Sequence, residues 1–193
     1  MRHILGIAAG ILFLAGYLPY IRAIVRKETM PSKASWLIWA SLDTILLCGM
    51  YFKDALNFQV VGAVMGSIPV ALLSQKYGAA GWTKIDKICL GGAAFSVVLW
   101  GILRDPTASL VLSSCAVCIG AIPTRQTAWK DPSNEDKLSW TLWFVSCVFA
   151  MVTIPAWTIA DVVQPTAYTA IEAAVMFLLF VKPLISRGKK EGT

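Results

Sequence analysis

Two acidic residues stand alone in long apolar stretches of the sequence. Asp43 lies in the segment 35–52 and Glu172 lies in the segment 163–182, and no basic residue lies at comparable depth in either segment. If both segments cross a membrane, they enter from opposite sides and place the two carboxyl groups about 12–14 Å deep, near the midplane. A charged carboxylate there costs at least about 2.5–3.5 kcal/mol, so such residues are candidate functional groups. The alternative is a structural hydrogen bond between helices, made by a protonated acid.

Aromatic residues lie on the same helical faces as these acids. Trp39 precedes Asp43 by four residues and Tyr168 precedes Glu172 by four, which places each pair on one face. Trp143 occupies the place of Trp39 in a similar stripe. Tryptophan rings stack on planar solutes and attract cations. We therefore predict a substrate-binding site of Trp39, Asp43, Trp143, Tyr168 and Glu172, with Asp43 and Glu172 as candidates for proton coupling.

Two further tryptophans open their segments. Trp36 and Trp140 stand at the segment ends, where the aromatic belt of a membrane interface is expected. We interpret both as belt residues, and Trp39 and Trp143, one turn deeper, as residues of a pocket.

Motifs of soluble enzymes and of metal sites do not occur in the sequence. There is no H-E-x-x-H, G-x-S-x-G, P-loop or G-x-G-x-x-G pattern. The only histidine is His3, and the pair Cys115-x-x-Cys118 has no second pair to complete a zinc site. We expect no catalytic residues, no metal and no cofactor, and the chain is not predicted to be an enzyme.

The elements that must position these residues are set by composition. The 193 residues are 57% hydrophobic and 15% charged, with a mean hydropathy of +0.66. A soluble domain carries about 25% charged residues, so we expect an all-α integral membrane protein in the lipid bilayer. Seven spans are predicted at roughly 4–24, 35–52, 58–75, 88–103, 107–128, 139–160 and 163–182.

The distribution of basic residues predicts the orientation of the chain. With the N-terminus outside, the inner loops and C-terminal tail hold fourteen Lys and Arg residues and the outer side holds three. The positive-inside rule therefore places the N-terminus outside and the C-terminus in the cytoplasm. The same asymmetry explains the net charge of +6, so no nucleic-acid partner is needed.

The sequence repeats itself at a shift of 104 residues. The shift aligns Gly16 with Gly120, Pro19 with Pro123, Lys33 with Lys137, Ser35 with Ser139, Trp36 with Trp140 and Trp39 with Trp143.

This repeat predicts a 3+1+3 arrangement. A three-helix bundle over 1–87, a linker helix over 88–104 and a second three-helix bundle over 105–184 would be followed by a basic cytoplasmic tail over 185–193. A single linker helix returns the chain to its starting side, so the two bundles are parallel repeats about an axis along the membrane normal.

Matching prolines and small-residue motifs carry two further expectations. Pro19 and Pro123 lie in the inner half of their spans, where a proline kinks a helix, and we predict that they form the hinges of an inner gate. The motifs Gly6-x-x-x-Gly10 and Gly62-x-x-x-Gly66 permit close helix contact. We assign them to packing within the first bundle; a homo-oligomer face is the alternative.

The repeated Gly-x-x-Pro pattern resembles the PQ-loop/MtN3 superfamily, which contains the SWEET sugar transporters. The resemblance rests on Gly16-Tyr17-Leu18-Pro19 and Gly120-Ala121-Ile122-Pro123, each followed by a basic loop, and extends over most of the chain through the 3+1+3 layout. Tyr20 and Thr124 stand where that family has glutamine, and spans 3 and 7 lack the asparagines of SWEET sugar sites. The Trp-x-x-Trp pair is similar to a motif of nicotinamide riboside transporters.

The resemblance implies a transporter of a small polar solute that works by alternating access between two bundles. Whether the solute is a sugar or a vitamin- or nucleoside-like compound, and whether protons are coupled, stays open. A membrane receptor or partner-binding protein of the same fold is the alternative.

Overall fold

The computed structural model describes residues 2–79, 82–103 and 105–185, and all regular structure in these ranges is helical. The helices are α1 (Arg2–Val25), α2 (Lys33–Phe52), α3 (Phe58–Tyr77), α4 (Lys84–Leu103), α5 (Pro106–Lys130), α6 (Lys137–Val152) and α7 (Ile159–Met176). A 3-10 turn at Pro132–Asn134 precedes α6, and a π-helical turn at Phe177–Val181 extends α7. Apart from Ile185, the predicted tail lies outside the described residues.

Five helical segments in the described ranges are long and apolar enough to cross a membrane. They are α1, α2, α3, α4 and the segment Ile159–Ile185, which contains α7. Helix α6 is apolar but has only 16 residues.

The predicted span 139–160 is wrong at its C-terminal end. Helix α6 ends at Val152, and a turn carries the chain to Thr158. Pro155 explains the early end, because proline disfavours helical geometry in the residue before it. The next helix begins at Ile159, not at 163, because the side chain of Thr158 accepts a hydrogen bond from the amide of Asp161 and caps it.

The packing of the helices follows one scheme in both halves of the chain. In the first half, α3 contacts both α1 and α2; in the second half, α7 contacts both α5 and α6. The halves meet where α1 lies against α6 and α2 lies against α5. Helix α4 packs mainly on α5, with a smaller contact to α2.

Glycines bring α1 and α3 into close contact. A Cβ atom on Gly10 would lie 2.6 Å from the carbonyl oxygen of Phe58, and one on Gly62 would lie 2.8 Å from the carbonyl oxygen of Gly10. A Cβ on Gly66 would fall inside the ring of Tyr17. Gly10, Gly62 and Gly66 therefore pack within the first half, as predicted, whereas a Cβ on Gly6 would meet Thr153 Oγ1 of the second half at 4.0 Å.

The same contact joins the two halves twice, each time through residues that the repeat pairs. Trp143 Nε1 donates to the carbonyl oxygen of Phe13 at 2.9 Å, and Trp39 Nε1 donates to that of Val117 at 3.0 Å. Both donors and both acceptors are related by the shift of 104 residues. The repeated Gly-x-x-Pro and Trp-x-x-Trp patterns are therefore complementary parts of one interface.

Each of these tryptophans lies over a glycine of the opposite half. A Cβ on Gly16 would lie 2.5 Å from Trp143 Nε1, and one on Gly120 would lie 2.7 Å from Ile38 Cγ2 and 3.3 Å from Trp39 Nε1. Such distances leave no room for a side chain on either glycine.

We predict that Gly16→Ala destabilises the protein. The added methyl group overlaps the Trp143 indole, and overpacking of this kind costs about 1–3 kcal/mol. Thermal unfolding in detergent micelles measures the loss. Gly91→Ala in α4 is the matched control, because a Cβ there meets nothing within 4 Å and should leave stability equal or slightly higher. Equal unfolding temperatures for the two variants would contradict the packing at Gly16.

Candidate functional site

All five residues of the predicted substrate site line one cavity at the centre of the bundle. This central cavity has a volume of about 40 Å³. Its lining consists of Phe13, Tyr17, Trp36, Trp39, Asp43, Val117, Trp140, Trp143, Tyr168, Ile171 and Glu172. Helices α1, α2, α5, α6 and α7 contribute to it, so both halves of the chain form its wall.

The two acids differ in their hydrogen bonding. Asp43 accepts a hydrogen bond of 2.6 Å at Oδ1 from the hydroxyl group of Tyr168. Glu172 is 94% buried, and its Oε2 has no hydrogen-bond partner among the described residues. Burying a polar atom without a partner costs free energy. Glu172 therefore presents unused hydrogen-bonding capacity to the cavity.

The aromatic wall is more extensive than the sequence predicted. Trp36 and Trp140 are 3% and 1% exposed and line the central cavity, so their assignment to an interfacial belt is wrong. The sequence patterns of α2 and α6 could not distinguish a belt tryptophan from a buried one, because either kind can occupy the first turn of a helix, where Trp36 and Trp140 lie. Their burial follows from polar partners supplied by the α5–α6 connection and by α1.

A buried glutamate lies next to the lining of the cavity, where it bonds to Trp140. Glu135 Oε2 accepts hydrogen bonds from Tyr20 Oη at 2.9 Å and from Trp140 Nε1 at 2.8 Å, and Tyr20 Oη accepts one from Trp36 Nε1 at 3.2 Å. We call these four residues the Glu135 cluster. Burial raises the pKa of Glu135 from 4.5 to about 7, because desolvation outweighs the hydrogen bonds that favour the carboxylate.

A second polar cluster is made of amide side chains and a serine. Gln164 accepts a hydrogen bond from Asn57 at 2.7 Å and donates one to Gln59 at 3.1 Å. Gln59 donates to Ser146 Oγ at 3.0 Å, and Ser146 donates to the carbonyl oxygen of Ala9 at 2.7 Å. This amide cluster, made of Asn57, Gln59, Ser146 and Gln164, links α1, α3, α6 and α7.

Beyond the amide cluster lies a wider depression of about 370 Å³, which we call the vestibule. It is formed where α1, α3 and α7 begin and α6 ends. Arg2, His3, Asp54 and Asp161 give it charges of both signs. Gln59 also lines it, so the amide cluster is its floor.

The charge of the central cavity is not balanced. Asp43 and Glu172 line it, and the lining that the structure describes contains no Lys, Arg or His. Within the described ranges, no three His, Cys, Asp or Glu side chains lie close enough to hold a metal ion. The cavity can accept protons or hydrogen-bond donors, but no histidine is available as a base.

Each of the predicted hinge prolines is followed by a residue that makes a hydrogen bond to another helix or connection. Pro19 precedes Tyr20 of the Glu135 cluster, and Pro123 precedes Thr124, whose amide donates to Ser35 Oγ at 3.2 Å. The α-helix continues past both prolines, and neither proline lines the central cavity. The hinge role stays a prediction.

Sequence reasoning missed Glu135 and Gln59. Glu135 lies in the polar connection 131–136, where an acidic residue normally faces water. Gln59 lies in the first turn of α3, where an amide looks like an interfacial residue. A weak signal existed for Glu135, since the equivalent position in the first half is Pro31 and the acid therefore breaks the repeat.

Comparison with known proteins adds no assignment: no family model, curated protein or solved structure matches this chain.

We predict that Glu135→Gln removes part of the pH dependence of stability. The folded protein holds the Glu135 proton up to about pH 7, whereas the unfolded chain releases it near 4.5. Stability from this group is therefore highest below pH 4.5 and falls as the pH rises to 7, by up to about 3 kcal/mol. Between pH 4.5 and 8, the unfolding temperature of the variant should rise relative to that of the wild type as the pH rises. Glu28→Gln, at an exposed carboxyl group, is the control; a constant difference between Glu135→Gln and wild type would contradict the prediction.

Proposed function

We propose that the protein is a membrane transporter that moves a small polar solute by alternating access between two three-helix bundles. The central cavity carries this proposal. It is lined by both halves of the chain, which two polar clusters also join, and it holds two buried acids without a basic partner in the described lining. A purely structural core would fill such a space with apolar side chains.

The helix contacts support the 3+1+3 arrangement. Helices α3 and α7 each lie between the other two helices of their half, and the α1–α6 contact corresponds to the α5–α2 contact under the repeat. Helix α4 then serves as the linker. The paired Trp39 and Trp143 hydrogen bonds are what parallel repeats about a common axis would produce.

The size of the cavity indicates a closed state of the proposed cycle. A volume of about 40 Å³ has room for about three water molecules, whereas pockets for drug-sized ligands measure about 300–1,000 Å³. Opening the amide cluster would join the cavity to the vestibule. Opening the Glu135 cluster, beside Pro19, would join it to the opposite side. These two clusters are the proposed gates.

Proton coupling is the proposed role of Asp43 and Glu172. Their carboxyl groups can be neutralised by a proton, and Tyr168 links Asp43 to the helix that carries Glu172. A pH gradient would then drive or accelerate solute movement.

The proposed orientation places the vestibule outside and the Glu135 cluster on the cytoplasmic side. We predict that Ala156→Cys, in the α6–α7 connection, reacts with a membrane-impermeant maleimide added to sealed cells in a cysteine-free background. Glu28→Cys, in the α1–α2 connection, should react only after permeabilisation. Both positions are exposed, so access to the reagent depends on the side of the membrane. The reverse labelling pattern would overturn the orientation.

We predict that Asp43→Asn lowers solute flux by about two orders of magnitude, because a group that binds solute or carries the coupled proton is lost. The measurement is counterflow into proteoliposomes with labelled glucose, lysine, uridine, nicotinamide riboside and choline. Asp86→Asn is the matched control, since Asp86 does not line the cavity and accepts a hydrogen bond from the Thr83 amide at the start of α4, which asparagine can also accept.

Two outcomes would contradict this function. Unchanged flux in both Asp43→Asn and Glu172→Gln would exclude the acid-centred mechanism. Absence of counterflow for every compound, together with a protein that co-purifies in fixed ratio, would favour the partner-binding alternative.

A further inference from the structure

We propose that the central cavity selects small organic cations, of the substituted ammonium class. The inference rests on the proposed transport function and names the chemistry of its solute. Three properties of the described lining support it: an uncompensated pair of acids, an unused acceptor atom and an aromatic wall.

The first property is the charge of the site. An ionised carboxyl group inside an apolar bundle requires a counter-charge at hydrogen-bonding distance. Neither Asp43 nor Glu172 has a salt bridge within the described ranges, where the only one joins Arg26 and Glu28. A cationic solute would supply the charge that the lining lacks. An anion would meet two acids and no cation in the described lining, which makes its binding unfavourable.

The second property is the unused acceptor. Glu172 Oε2 is buried in the wall of the cavity and has no hydrogen-bond partner. An ammonium N–H, as in methylammonium, would donate to this oxygen, whereas a quaternary ammonium such as choline has no N–H and would approach it through its polarised N-methyl groups. Asp43 Oδ1 is already engaged by Tyr168, so Glu172 is the primary anchor and Asp43 the secondary one.

The third property is the aromatic wall. Seven of the eleven lining residues are aromatic. Phe13 stacks on Tyr168 with ring centroids 5.7 Å apart, and Trp36, Trp39, Trp140 and Trp143 meet in a series of edge and tilted contacts. A ring face attracts a cation within about 6 Å of its centroid, and the attraction grows where water is excluded. Neutral sugars would also stack on these rings, but only a cation uses both the rings and the carboxyl groups.

The discriminating experiment compares choline with 3,3-dimethylbutan-1-ol, which has the same shape and no charge. Tryptophan fluorescence of the detergent-purified full chain reports binding, since four tryptophans line the cavity. We expect choline to bind at least about tenfold more tightly than the neutral alcohol, which corresponds to about 1.4 kcal/mol. Methylammonium, a smaller cation, should also bind.

Two variants test the assigned contacts. Glu172→Gln should weaken choline binding by about tenfold or more and leave binding of the neutral alcohol unchanged, because only the charged contact is lost. Phe13→Leu keeps an apolar side chain but removes a ring face, so it should weaken choline binding about threefold or more. Phe95→Leu, at an exposed ring on α4, is its matched control and should change nothing.

Failure of the inference is distinguishable from failure of the transport proposal. Equal affinity for choline and the neutral alcohol overturns the cation inference. So does counterflow of glucose or uridine without counterflow of choline, which would leave the transport function in place. Absence of counterflow for every compound overturns both.

Discussion

Every polar group inside this bundle has to find its partner within the protein, because an apolar interior offers none. The structure meets this constraint in three groups of side chains. In the amide cluster, Gln164 donates a hydrogen bond to Gln59, and in the central cavity Tyr168 donates one to Asp43. In the Glu135 cluster, Glu135 accepts hydrogen bonds from Tyr20 and Trp140. Five buried side-chain atoms of the described residues have no hydrogen-bond partner, and Glu172 Oε2 is the one that belongs to a residue lining the central cavity. The proposed function depends on this atom. In the proposed function, a bound solute would supply the hydrogen-bond partner that Glu172 Oε2 lacks.

The same constraint explains how the two halves could move against each other. The hydrogen bonds of Trp39 and Trp143 join the halves at the central cavity, and the amide cluster and the Glu135 cluster also join them. In the proposed cycle, rocking about the tryptophan level would break one terminal cluster and keep the other. Both clusters consist of side-chain hydrogen bonds, which water can replace when a gate opens. Glycines at 16 and 120 keep the central contact close, so the pivot would be the tightest part of the interface.

The sequence predicted the helices better than their ends, and the residues that line the cavity better than the polar clusters beside it. Apolar runs located the seven α-helices that the described residues form, although α5 and α6 are not among the five segments long and apolar enough to cross a membrane. The C-terminal end of α6 depended on Pro155, whose effect within a continuous apolar run is local. Asp43 and Glu172 could be found because an acid in an apolar segment is unusual whatever surrounds it. Glu135 could not, because it lies in a polar connection and becomes buried only when α1, α2 and α6 converge on it. Trp36 was misassigned for the same reason: its burial depends on Tyr20, which is sixteen residues away in the sequence.

The repeat duplicates the residues that join the two halves, but it does not duplicate the two acids of the central cavity. Gly16 with Gly120 and Trp39 with Trp143 occur in both halves, and their contacts are reciprocal. The acids occur once each. Asp43 aligns with Cys147, which packs against Gln59, and Glu172 aligns with Ile68, an exposed residue of α3. A frame that rocks about a central axis needs equivalent contacts on both sides of that axis. A single cavity on the axis needs only one set of charged groups, and the positions that the repeat pairs with the acids, Cys147 and Ile68, do not line it. The two acids on which the proposed function depends are therefore the part of the cavity that the repeat does not duplicate.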